Sequence, residues 1–185
     1  MRGTGDALLL ARTFAGDDPV VVAFPDDIFP PVAGAPNCTA KLIAAHRKTG
    51  TSVIATADFS GQDVSAYGVL DVRQTEEGLS VDQIVEKPAP GEEPSSWISL
   101  GRYLYTSDLF ARLEAGLASH GEGEFYPMDA LNAMAAEGAL YAVDYDGPRW
   151  DTGHVEGYLE AVLEEAMRRP ELAEFIRRWT SKRLS

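Results

Sequence analysis

Acidic residues at the ends of apolar runs are the first chemistry this sequence offers. Val20-Val21-Val22-Ala23-Phe24 reads as a strand buried on both faces, and Pro25-Asp26-Asp27 closes it. Far along the chain, Trp150-Asp151-Thr152-Gly153 follows an apolar run at 140–145 and precedes an amphipathic helical pattern. Two carboxylates at strand ends can share one hard cation that keeps several waters and holds phosphates, which is how Mg²⁺ is usually bound. The plainer readings are a turn for Asp26 and Asp27 and a helix N-cap for Asp151 or Thr152. Lys87 is the other candidate, because only it and Arg73 carry positive charge between Lys48 and Arg102. In Val85-Glu86-Lys87-Pro88 it stands at a strand end that proline stops. There a lysine can act as a point charge for a phosphate and Glu86 can accept sugar hydroxyls; otherwise the two form a solvated surface pair. Gly68 in Tyr67-Gly68 and Gly101 in Leu100-Gly101-Arg102-Tyr103 lie inside strand patterns, where glycine marks a bulge or lets a ligand approach the backbone. Gly3-Thr4-Gly5 is no dinucleotide fingerprint, since Leu8 stands where the third glycine belongs. His46, His120 and His154 have no metal-ligand spacing.

The elements that must position these residues alternate between strand and helix. After the run at 20–24, Asn37 or Thr39 caps an amphipathic helix that Gly50 closes, and 52–57 is a second buried strand. That order is a βαβ unit, and it sets the class as α/β, with a mixed, mostly parallel Rossmann-like sheet flanked by helices. Further strands are expected at 67–72, 79–85, 98–105 and 140–145, the middle pair antiparallel because the connections around them are short. Helices are expected at 107–117, 127–136, 155–167 and 171–179. Residues 1–168 read as one domain and 169–185 as a helical arm, with Leu172, Phe175, Ile176 and Trp179 on one stripe.

Length and charge narrow the functions available. A chain of 185 residues can bury a sizeable core without metal or disulfide staples, and Cys38, the only cysteine, excludes an internal disulfide. Sixteen basic residues against 29 acidic ones give a formal charge of −13, which argues against nucleic acid and anionic membranes as partners. No apolar run is long enough to span a bilayer, and the start lacks the order of a secretory signal, so the expected compartment is the cytoplasm.

Several segments stand in a telling order: Gly3-Thr4-Gly5-Asp6-Ala7, Phe24-Pro25-Asp26-Asp27, Ala66-Tyr67-Gly68-Val69, Val85-Glu86-Lys87-Pro88, Leu100-Gly101-Arg102-Tyr103, Gly123-Glu124 to Asp129-Ala130, and Trp150-Asp151-Thr152-Gly153 with Gly157-Tyr158. Together they resemble the bacterial UTP-glucose-1-phosphate uridylyltransferases, within the sugar-1-phosphate nucleotidyltransferase superfamily, from about residue 3 to about residue 180. The resemblance implies a reaction of UTP with glucose 1-phosphate giving UDP-glucose and diphosphate. It implies Asp26 and Asp151 as Mg²⁺ ligands, and Lys87 at the sugar phosphate. It further implies Glu86 and Gly101 at the glucose, Tyr67 and Gly68 in the same substrate set, and Gly5 at the uracil end.

The departures from that pattern carry expectations of their own. The family's opening strand and Gly-x-Gly-Thr-Arg loop, which hold the triphosphate, are not among these 185 residues, Asp6 replaces a histidine, and Tyr126-Pro127-Met128 replaces Gln-Leu-Thr. The expected protein is therefore a C-terminal portion, inactive by itself. The rival readings are a non-catalytic sugar-phosphate or UDP-glucose sensor, a subunit completing its sheet with another chain, and a thymidylyl- or cytidylyltransferase. Three structural expectations follow. Asp26 and Asp151 should converge within about 8 Å. Glu86 and Lys87 should share one cleft, and the strand at 20–24 should have an open edge that favours self-association or a homo-oligomer.

Overall fold

The computed structural model describes residues 2–183, and their elements follow the apolar periodicity closely. Two short helices, α1 (Thr4–Leu9) and α2 (Arg12–Ala15), lead into β1 (Val20–Ala23), the two-residue β2 (Asp27–Ile28), α3 (Cys38–Thr49) and β3 (Ser52–Asp58). Then come β4 (Gly68–Gln74), β5 (Leu79–Glu86), β6 (Trp97–Tyr105), α4 (Asp108–Ser119) and α5 (Met128–Ala136). Strand β7 (Leu140–Asp144), the two-residue β8 (Trp150–Asp151), α6 (Val155–Met167) and α7 (Pro170–Ser181) complete the order. Helix α3 has both of its expected ends. The Asn37 side chain accepts the Ala40 N–H at 2.9 Å, and Gly50 takes a left-handed conformation with φ 71°.

Six strands form one sheet in the order β1-β6-β3-β7-β5-β4, with β4 also touching the start of β6. β1, α3 and β3 make a crossover unit whose two strands run parallel, yet β6 lies between them and runs against both. Strands β1, β3, β4 and β7 point one way and β5 and β6 the other, the reversal expected of strands reached by short connections. The sheet is thus mixed. It is mostly parallel in strand direction but not in neighbours, and β3–β7 is the parallel pairing among the described residues.

β1 corrects one expectation. Its side chains alternate between half-buried and exposed rather than being buried on both faces, because it is the edge strand and pairs only with β6 among the described residues. Strand β3, in the middle of the sheet, is the one with both faces buried over its first five residues. Apolar clusters cover the two faces of the sheet. Leu109, Leu113, Leu131 and Met134 of α4 and α5 pack on Ile54, Leu70, Ile84 and Leu140, and Cys38 and Leu42 of α3 pack on Val53, Val69 and Ile98. Among the described residues no helix is long and apolar enough to cross a membrane.

Beyond the sheet, β2 and β8 form a two-residue antiparallel ribbon that pairs Asp27 with Asp151 and Ile28 with Trp150. Helix α6 begins one turn later than the N-cap reading of Asp151 requires. Its cap is His154, whose Nδ1 accepts the Gly157 N–H at 3.0 Å, so neither Asp151 nor Thr152 serves as N-cap. Helix α7 packs on α6, with Ala173 buried while Leu172, Phe175 and Trp179 remain partly exposed.

Candidate functional site

The mouth of the sheet between β4–β5 and the β2–β8 ribbon is a cleft of about 370 Å³. Asp26, Tyr67, Gly68, Glu86, Lys87, Gly101 and Asp151 all line it, brought together from five separate segments of the chain. Gly5 stands apart and does not line the cleft. Its N–H donates to the Phe125 carbonyl at 2.9 Å, and a Cβ there would lie 2.6 Å from the Phe125 ring, so the bare backbone serves close packing under α1. Its neighbours Thr4 and Leu8 reach the cleft instead.

At the β4–β5 end, Gly68 and Glu86 are cross-strand partners. A Cβ at Gly68 would come within 3.0 Å of Glu86 Oε2, so the glycine leaves room for that carboxylate. Adjacent strand residues ordinarily point to opposite faces, yet Glu86 and Lys87 line the same cleft. Lys87 has φ 47°, the left-handed region, with its N–H on the Tyr67 carbonyl at 3.0 Å. The turn of its own backbone, just before Pro88, breaks the alternation. A non-glycine residue pays roughly 1–2 kcal/mol for that conformation.

The opposite wall is built around Asp27, only 7% exposed. Its Oδ2 accepts the Gly101 N–H at 2.6 Å and its Oδ1 accepts from Arg149 Nε at 2.5 Å. A Cβ at Gly101 would fall 2.7 Å from Asp27 Cβ, so only glycine admits the carboxylate there. Arg149 also reaches Asp151 Oδ2, with Nη2 at 3.3 Å. Burial works against the Arg149 charge, but the charge and hydrogen bond of Asp27, with Asp151 beyond, outweigh it and raise the guanidinium above its ordinary value.

Asp26 is exposed, and its carbonyl accepts from the Thr152 N–H at 2.7 Å and the Thr152 hydroxyl at 2.9 Å, which stitches the two acidic segments together. A Cβ on Gly153 would sit 3.1 Å from Asp151 Oδ1 and 3.5 Å from Asp26 Oδ2. The two carboxylates therefore border the same space beside Gly153, closer together than the expected separation of about 8 Å. Asp151 Oδ1 accepts the Gly153 N–H at 3.0 Å and keeps a second lone pair. Two carboxylate oxygens bordering one space are the kind of donor set Mg²⁺ takes, with water and phosphate oxygens filling the rest of its shell. Among the described residues no cluster of three or more His, Cys, Asp or Glu side chains forms a self-sufficient metal site.

The floor between the two walls is aromatic. Tyr103 stacks on Tyr105 at 5.4 Å and tilts against Phe24 at 5.5 Å, and its hydroxyl shares a hydrogen bond of 3.1 Å with Ser99. Loss of water pushes the Tyr103 hydroxyl up to about 12, the Ser99 hydrogen bond opposing and the nearby Asp27 and Glu86 charges adding to it. Arg149, Tyr103 and the buried role of Asp27 were missed by reasoning from sequence. A signal for Arg149 existed: it is two residues before Asp151, on the same face of an extended segment, in a chain whose acidic crowding demands a counter-charge.

The sheet is mixed, and its cleft sets paired carboxylates at one end and a lysine–glutamate pair at the other, which makes this an α/β protein with a polar cleft at the edge of its sheet. The chain belongs to the nucleotidyl transferase family, whose profile matches residues 1–167. It is 34% identical over 184 residues to UTP-glucose-1-phosphate uridylyltransferase 1 of Streptococcus pyogenes serotype M1, covering 98% of this chain and 60% of that protein. It is likewise 34% identical to UTP-glucose-1-phosphate uridylyltransferase 2 of Staphylococcus saprophyticus, over 96% of this chain and 62% of that one. Among solved structures, a UDP-glucose pyrophosphorylase complexed with UDP-glucose superposes with a TM-score of 0.81 at 31% identity, over 91% of this chain and 64% of that one. The UTP-bound enzyme from Acinetobacter baumannii gives 0.82 at 27% identity, over 98% and 62%. The chain thus spans about 60% of the length of the curated relatives it matches.

Proposed function

We propose that these residues form the sugar-phosphate and metal half of a uridylyltransferase site, for the reaction of UTP with glucose 1-phosphate to UDP-glucose and diphosphate. The observation that carries the reading is the convergence of Asp26, Asp151, Glu86 and Lys87 on one cleft. It is supported by relatives named for this activity. In the reaction a phosphate oxygen of the sugar attacks the α-phosphorus of UTP in line. A new P–O bond forms, the bond to the β-phosphate oxygen breaks, and diphosphate leaves with the electron pair.

Lys87 serves as a point charge for the sugar phosphate, and its left-handed backbone holds it beside Glu86. Glu86, seated over Gly68, accepts hydrogen bonds from the sugar hydroxyls, and the Tyr67–Gly68 and Gly101 backbones shape the wall the sugar meets. Asp26 Oδ2 and Asp151 Oδ1 would hold Mg²⁺, which when bound supplies neutralising charge to the phosphates. The Gly101 N–H is engaged by Asp27, so its part is close approach rather than donation. The cytoplasm is the compartment this reading implies. We extend the proposal to residues 1–168 as the working unit, 169–185 as a packing arm, and self-association through the outer edge of β1.

Calorimetric titration with glucose 1-phosphate tests the reading. Lys87→Ala should weaken binding by about tenfold, in keeping with a charge-assisted contact of roughly 1.5 kcal/mol. Unchanged affinity would make Lys87 a solvated surface lysine and remove the sugar-phosphate half from the proposal.

A further inference from the structure

The cleft contains a cation that the proposed reaction leaves without a task. Arg149 has only 16% of its side chain exposed, with Nε 2.5 Å from Asp27 Oδ1 and Nη2 3.3 Å from Asp151 Oδ2. Its guanidinium also lies 5.8 Å from the centre of the Tyr67 ring. Both Asp27 oxygens are thereby engaged, the second by the Gly101 N–H. Asp151 is held differently: Arg149 takes Oδ2, and Oδ1 is turned toward Gly153 and Asp26.

We propose that Arg149 is a positioning residue, which by forking between Asp27 and Asp151 fixes the Asp151 oxygen that faces Asp26. The inference rests on the reading of Asp26 and Asp151 as ligands of one divalent cation. It turns on geometry rather than charge. A guanidinium beside a cation site repels the cation, so charge alone would make Arg149 a liability there. What arginine offers is a rigid planar fork that two carboxylates can share, and the single ammonium of lysine cannot reproduce it.

The sign of that repulsion makes the test sharp. Arg149→Met combined with Asp27→Asn removes the fork without leaving Asp27 as a buried unpaired charge, and keeps an acceptor for the Gly101 N–H. Arg149→Lys keeps the charge without the fork. Thermal melts by circular dichroism establish that each variant is folded. Mn²⁺ binding to the 185-residue chain, followed by electron paramagnetic resonance, should weaken by about tenfold in both, a usual cost when the partner that orients a metal ligand is lost. Without metal, exchange of the Gly153 amide hydrogen, which reads its bond to Asp151 Oδ1, should quicken by a similar factor. A bystander charge gives the opposite pattern. Mn²⁺ binding as tight as the parent's or tighter, or unchanged Gly153 exchange, overturns the proposal. If the parent chain binds no Mn²⁺, the metal reading fails and the Gly153 amide alone decides: faster exchange sustains Arg149 as the residue that positions Asp151, and unchanged exchange refutes it.

Discussion

At the residue scale, backbone conformation and burial divide side chains that the sequence presents as equivalent. Lys87 carries left-handed strain for the sake of its position. Lys87→Gly should therefore be more stable to urea than Lys87→Ala by about 1 kcal/mol, since only alanine keeps the strained conformation. A glycine variant less stable than the alanine one would contradict that account. Tyr103 gives a pH signature. Its folded value of about 12 lies above the ordinary 10, so the folded state holds the proton more tightly than the unfolded chain. The stability this brings is whole below pH 10 and is lost as the pH rises from 10 to about 12. In urea midpoints measured across that range, Tyr103→Phe should fall less steeply than the parent. The slope that remains belongs to the other tyrosines held above their ordinary value, Tyr105 and Tyr145 by burial and Tyr126 by its hydrogen bond to Glu124, and, from lower pH, to Cys38, whose thiol burial pushes up to about 11. An unchanged slope would place the Tyr103 hydroxyl in water. Residue type and spacing were enough to single out Asp26, Glu86, Lys87 and Asp151. They could not separate Asp26 from Asp27, because which neighbour points inward depends on the path of the chain after Phe24, and a long-range partner, Arg149, decides it.

At the element scale, long periodic segments were legible and two-residue ones were not. Helix α6 has the bounds its apolar spacing suggests, and α3 has both of its caps, because each is fixed by neighbours within a few turns. The β2–β8 ribbon has no period to read. Its pairing of Asp27 with Asp151 arises from the meeting of two distant loops, and it brings Asp26, which looked like part of a turn, beside Asp151, which looked like a cap. The burial of β1 was misread for a related reason: a continuous apolar run fits an interior strand, but sheet order made this one an edge, leaving Val21 43% exposed. Such an edge is a template for another chain. Light scattering at rising concentration should show self-association of the 185-residue chain, and Val21→Lys should reduce it. A parent that stays monomeric at every concentration would remove the edge from the proposal.

At the scale of the whole molecule, a formal charge of −13 sets the problem the site must solve. Phosphates approach an acidic chain only where a few cations are placed for them, and the described cleft offers Lys87 exposed and Arg149 engaged by carboxylates. A divalent ion between Asp26 and Asp151 would turn the most acidic part of the cleft into a phosphate-binding one. Binding of a nucleotide sugar should accordingly depend on metal. The most direct measurement is calorimetric titration of UDP-glucose into the 185-residue chain with Mg²⁺ and with chelator, beside Asp26→Asn and Asp151→Asn. Binding that requires Mg²⁺ and weakens by about tenfold or more in either variant is the expected result. Binding indifferent to Mg²⁺ and to both substitutions, or no binding by the parent chain, would contradict the assignment of this cleft.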